Sequence, residues 1–199
     1  MQRLKIVILL AVLGLGVCRF AQASEPLEIV RKAVDHAIQI LKDPELQSPE
    51  KREERIARLR ETLSPIFDYE EMAKRALGTH WRRRTRAEQE AFVKLFRDFL
   101  ERVYSDKIDL YGGERVRFGR EVLDNDFAQV DSTIMRPRGE EIAVTYKLRQ
   151  ISGRWKVYDA VVENISLINN YRSQFDRIIS SSSYEELVKR LQEKNGRDA

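Results

Sequence analysis

Reactive sulfur is nearly missing from this chain of 199 residues: it has one cysteine, Cys18, and only two histidines, His36 and His80. A lone cysteine excludes an internal disulfide and any zinc site built from cysteine pairs. The two histidines lack the paired histidine or carboxylate spacing that zinc needs, so each reads as polar surface. There is no Gly-rich phosphate loop, no Gly-x-Ser-x-Gly word, no internal repeat and no nucleophile with an evident base. Ser64, Ser166 and Ser173 read instead as cap, strand-end and helix residues.

Long apolar runs are equally scarce. The main one, Ile6 to Val17, follows Arg3 and Lys5 and precedes Ala21-Gln22-Ala23, the small-x-small form of a cleavage site. The run is too short to span a bilayer comfortably, so residues 1–23 read as a secretory signal peptide and 24–199 as a single mature domain. Cys18 follows Val17 rather than a small residue, which argues against a lipoprotein. The basic excess is small too. Of 36 basic and 32 acidic residues, Arg3, Lys5 and Arg19 belong to the leader, which leaves 33 against 32. A nearly neutral mature chain gives no electrostatic footprint for nucleic acid, and with Cys18 gone it is indifferent to redox conditions.

What is present divides by period. Leu27, Val30, Val34, Ile38 and Leu41 recur at helical spacing up to Asp43-Pro44, and Ser48-Pro49 opens a second helix carrying Ile56, Leu59 and Leu63. Asp68 with Glu71 is a capping-box pattern for a helix that Gly78 stops. Thr85 with Glu88 is another, ahead of a long helix with Phe92, Leu95, Phe96, Phe99, Leu100, Val103, Tyr104 and Ile108 on its apolar side, ended by Gly112-Gly113. The period then drops to two. Four alternating runs, around Val116–Phe118, Ala128–Ile134, Ile142–Leu148 and Trp155–Val161, are joined by turns short enough for antiparallel hairpins. Helical spacing returns from Ile165 to Ile178, and Ser183 with Glu186 caps a final helix. The expected fold class is α+β: a four-stranded curved antiparallel sheet with helices packed on one face.

Three words carry a resemblance: Leu63-Ser-Pro-Ile-Phe-Asp-Tyr-Glu-Glu-Met-Ala-Lys-Arg-Ala-Leu-Gly-Thr-His-Trp81, Trp155-Lys-Val-Tyr-Asp159 and Asn170-Tyr-Arg-Ser-Gln-Phe175. Together, in this order and behind a signal peptide, they resemble the MlaC, or toluene-tolerance, family of periplasmic phospholipid-binding proteins. The resemblance implies a fold that encloses an apolar cavity and a monomeric carrier without cofactor or catalysis. Such a carrier moves lipid across the periplasm between an outer-membrane lipoprotein complex (MlaA-like) and an inner-membrane ABC transporter complex (MlaD-like subunit), maintaining outer-membrane lipid asymmetry.

By pattern alone, the inward sheet residues Val116, Phe118, Val130, Ile134, Ile142, Val144, Tyr146, Leu148, Trp155, Val157 and Val161 are satisfied by an ordinary packed core. The resemblance makes them, with Tyr171 and Phe175, the candidate lipid lining. At about 0.8 kcal/mol per methylene, two tails of about thirty methylenes resist exposure to water by about 24 kcal/mol, so a carrier must enclose them while the head group stays wet. Asp159 falls in phase with Trp155, Val157 and Val161 and needs a partner, for which Arg172 is the natural choice. Arg82, Arg83, Arg84 and Arg86, ahead of a helix N-terminus, read as a solvated loop or as contacts to lipid head groups or an acidic partner surface. Two other classes stay open: a cavity enzyme using Asp159, and a periplasmic adaptor with a solid core and no lipid.

Overall fold

The computed structural model describes residues 25–105 and 111–196. The expected leader, Cys18 and Ile108 lie outside the described residues. Among the described residues six α-helices, α1 (Glu25–Lys42), α2 (Arg52–Leu63), α3 (Tyr69–Leu77), α4 (Arg86–Ser105), α5 (Leu167–Ser181) and α6 (Tyr184–Gly196), combine with five strands, β1 (Arg115–Asp124), β2 (Phe127–Met135), β3 (Glu141–Ile151), β4 (Arg154–Val162) and β5 (Ile165–Ser166). The strands form one antiparallel meander in chain order. The fold is therefore α+β with a curved sheet, as the sequence pattern predicts, plus a fifth strand.

Local chemistry explains the boundaries. The Asp68 carboxylate accepts from the Glu71 N–H at 3.1 Å and starts α3, but Glu71 does not reach back. The Asp68 N–H instead donates to the Val157 carbonyl at 2.8 Å, tying the helix start to the free edge of β4. Thr85 and Glu88 complete a full reciprocal box at the start of α4, with bonds of 2.7 and 3.3 Å. Ser48 makes no side-chain cap, and the segment Pro49–Lys51 is a 3-10 turn that leads into α2. Gly78 ends α3 at φ +54°, ψ −124°, while its N–H is held by the Lys74 and Arg75 carbonyls.

The core is divided. In the helical part, α3, α4, α5 and α6 bury Phe92, Phe96, Phe99, Tyr171, Phe175, Leu187 and Leu191. Its rings meet edge to face, with centroids of Phe96 and Phe175 at 5.5 Å and of Phe96 and Tyr171 at 5.6 Å. A second cluster joins Val30 of α1 to Ala128, Val130, Leu148, Trp155 and Val157 of the sheet. The deepest line of α1 is Val30, Ala33, Ala37 and Ile40, turned from the line of larger residues that spacing suggests, because the two alanines allow close approach. Leu27 and Val34 flank that line toward the sheet, and Leu41 flanks it toward α2.

Two bulges set which side chains face α1. On β1, Gly119 and Arg120 together face Asp131, one residue more than the partner strand, so Phe118 pairs with Ser132 while Glu121 pairs with Val130. On β4, Val157 pairs with Leu148 but Asp159 pairs with Lys147, leaving Tyr158 as the extra residue. After a one-residue slip every later side chain changes face.

Candidate functional site: the inner face of the sheet

The register brings most of the expected lining together. Val116 pairs with Ile134, which pairs with Ile142. In the next rows lie Phe118, Ser132 and Val144, then Val130 and Tyr146, then Ala128, Leu148 and Val157. All share one face, because residues directly opposite on neighbouring strands point the same way. That face is closed at one end and open at the other. Val130, Leu148 and Val157 are fully buried against Val30, whereas Val116, Phe118, Ile134, Ile142 and Tyr146 are half-buried, and Val162 and Ile165 are 42% and 65% exposed. Burial pushes the Tyr146 phenol above its ordinary pKa, with the Ser132 hydroxyl opposing.

The wall facing this surface is α1, through Leu27, Ile29, Val30 and Val34, with Ile66 and Phe67 beside it. Glu121, brought to the inner face by its bulge, accepts the Leu27 N–H at 3.0 Å and so satisfies a donor that the first turn of α1 leaves unpaired. Arg31 lies 5.4 Å from the Phe118 ring centroid. The periodicity of α1 is visible in the sequence, but its partner surface is not.

Three expected members stand elsewhere. Val161 pairs with Thr145, on the face opposite Leu148 and Tyr146, because the Tyr158 bulge reverses the alternation that an unbroken strand would keep. Tyr171 and Phe175 belong to the helical cluster, not to the cluster under the sheet.

Asp159 follows Val161 to the outer face and is 4% exposed. Its partners are not Arg172. One oxygen accepts the Ile168 N–H at 3.1 Å and the other the Ser166 hydroxyl at 2.7 Å, with the Lys147 ammonium at 3.8 Å. Both oxygens are thus engaged in starting α5. Arg172 is exposed and lies over Gly78, where an added Cβ would sit 2.9 Å from its Nε.

The arginine cluster is only partly free. Arg84 lies 4.5 Å over the Tyr184 ring and pairs with Glu88 at 3.2 Å, and Arg86 pairs with Glu90 at 2.7 Å. Arg82 and Arg83 are exposed and form no ion pair among the described residues. His80 pairs with Asp176 at 2.8 Å. Among the described residues, no group of three or more histidine, cysteine or acidic side chains is placed to hold a metal ion.

Comparison with known proteins agrees with this architecture. The family model described as "MlaC protein" matches residues 31–193. A solved phospholipid-binding protein from Ralstonia solanacearum, in complex with a phospholipid, is similar with a TM-score of 0.75 and 25% identity, covering 87% of this chain and 98% of its own. The intermembrane phospholipid transport system binding protein MlaC of Haemophilus influenzae is 24% identical over 140 residues, 68% of this chain, and the match spans 65% of that relative's length. With more than half of its length matched by the family model, on a fold shared with a lipid-bound relative, the chain belongs to the MlaC family.

Proposed function

We propose that this protein is a periplasmic phospholipid carrier that holds lipid tails against the inner face of the sheet, under α1, and leaves the head group in water. The observation that carries this reading is the graded inner face: an apolar surface continuous from fully buried Leu148 to open Ile165, in a chain similar to a protein solved with a phospholipid. A surface with water at one end and hydrocarbon at the other suits an amphiphile.

The closed floor implies motion. Val30 and Val130 are each 0% exposed, so tails reach the floor only if α1 lifts from the sheet. The Leu27–Glu121 hydrogen bond ties down the end of α1 that has to move. Because tail exposure is so costly, transfer needs docked partners that offer a continuous apolar path. An MlaA-like outer-membrane lipoprotein complex and an MlaD-like subunit of an inner-membrane ABC transporter fill that role, and the traffic between them maintains outer-membrane asymmetry. The leader read from residues 1–23 supplies the route to the periplasm. Catalysis has no part in this reading, since the Asp159 carboxylate is occupied by Ser166, Ile168 and Lys147.

Native mass spectrometry of the mature protein purified from cells tests the proposal. The expected spectrum carries bound phospholipid at near-stoichiometric amounts, and lipid-free protein under conditions that retain apolar ligands overturns it. A cysteine pair at positions 27 and 121, joined by a short bismaleimide before loading, is expected to block uptake. Normal uptake in the crosslinked protein would refute the α1 motion.

A further inference from the structure

Away from the sheet, an open groove of about 570 Å³ runs between α4, α5 and α6, and no strand residue lines it. Its floor is apolar and nearly closed, with Phe99 4%, Phe175 3% and Leu191 3% exposed, and half-buried Val103 and Ile178 form its sides. The volume lies within the roughly 300–1,000 Å³ of small-molecule sites. With a single row of lining side chains from each of the three helices, the groove is proportioned for one hydrocarbon chain.

Lys194 and Tyr171 both meet one ring of this groove. The Lys194 ammonium lies 5.7 Å from the Phe99 centroid, and Tyr171 meets the same ring edge-on with centroids 5.4 Å apart. Lys194 makes no ion pair among the described residues, whereas its neighbour Arg190 is held by Glu186 at 2.7 Å. The Tyr171 hydroxyl has no protein partner among the described residues and is not sealed from solvent. Glu193 is an acid at the rim, so the local positive excess is small and the recognition element is Lys194 itself. An unpaired ammonium at the side of a greasy channel is complementary to a carboxylate or phosphate carried on a single chain.

We infer that this groove is a second binding site, separate from the sheet face, for a single-chain anionic amphiphile: the tail lies over Phe175 and Leu191 and the head is read by Lys194.

The test is calorimetric titration of the mature protein with three probes: palmitate, lysophosphatidic acid of the same chain length, and hexadecanol as the neutral control. Saturable binding of palmitate or lysophosphatidic acid in preference to hexadecanol is expected, and the stronger of the two identifies the head as carboxylate or phosphate. Lys194→Gln is expected to weaken the anionic probes about tenfold and leave hexadecanol unchanged. Val103→Trp, or Gln174→Trp at an exposed lining position if the first fails to fold, is expected to block all three while leaving co-purified phospholipid intact. No saturable binding, or equal binding of all probes unaffected by Lys194→Gln, overturns the site. Loss of co-purified phospholipid in either groove-filling variant would show that the groove belongs to the main lipid cavity and is not separate.

Discussion

Arg149 on β3 reaches across β4 to Asp68 at the start of α3, with 2.5 Å between its Nε and Oδ2, and its second nitrogen lies 3.1 Å from Glu71. Both acids are buried, at 7% and 6% exposure. Burial works to lower the Arg149 pKa, but the bond and charge of Asp68, with Glu71 and Glu70 behind it, outweigh burial and raise it. Glu71 also has Arg75 at 2.7 Å, whereas Arg149 is the cation on Asp68 among the described residues. This fork couples the helical part to the sheet.

Removing the fork strands a buried carboxylate. Arg149→Ala is expected to destabilise the fold by about 3 kcal/mol, read as a lower urea midpoint. Arg149→Lys is expected to recover only part of that loss, since an ammonium keeps the charge but cannot bridge two acids with fixed planar geometry. Equal midpoints for the lysine variant and the parent would show that charge alone matters here.

The cap of α4 gives a pH signature. Glu88 is held below its ordinary pKa by the Thr85 N–H first, then by the Thr85 hydroxyl and Arg84. A depressed folded-state pKa means that its stabilisation is present above the unfolded value of about 4.3 and is lost as pH falls through the lower folded value. The stability difference between the parent and Glu88→Gln is therefore expected to be largest near pH 6–7 and to shrink as pH falls below about 4. A difference independent of pH in urea titrations would remove charge from the explanation.

Gly78 tests backbone strain separately from crowding. At φ +54° and ψ −124° the residue occupies a region that side chains disfavour, and an added Cβ would also meet Arg172 Nε at 2.9 Å. The arginine is exposed and its tip can move aside, so the strain dominates. Gly78→Ala is expected to cost about 1–3 kcal/mol, and adding Arg172→Ala is expected to recover little of it. Full recovery in the double variant would make the contact, not the backbone, the cause.

The sequence showed its helices and hairpins because each carries local chemistry: apolar spacing, the Thr85–Glu88 box, and turns such as Ser152-Gly153. What stayed hidden depends on partners remote in sequence. Trp155, Val157, Asp159 and Val161 alternate perfectly, and nothing in that alternation announces that Tyr158 is extra; only the pairing with Lys147 and Leu148 shows it. The fifth strand is hidden for a related reason. Its turn, Glu163-Asn164, adopts positive φ at both residues without a glycine, and Ile165 also fits the helical spacing of α5. Family likeness points to Tyr171 and Phe175 as sheet lining, and periodicity does not say which of two apolar clusters they join.

The Tyr158 bulge separates two residues that the sequence treats alike, and so offers a test of which face holds the lipid. Ile142 and Val161 are both half-buried, but Ile142 shares a face with Ile134 whereas Val161 pairs with Thr145 on the other side. If tails lie on the inner face, Ile142→Asn removes an apolar contact of about 1.5 kcal/mol, and lipid retention during delipidating washes is expected to fall roughly tenfold. On the same reading Val161→Asn is expected to leave retention at the parent level, because its side chain points to the outer face. Quantitative lipid mass spectrometry on both variants, alongside their urea midpoints, distinguishes lost contact from lost fold. Retention that falls for Val161→Asn and holds for Ile142→Asn would put the tails on the outer face, where Asp159 and Lys147 would have to accommodate them.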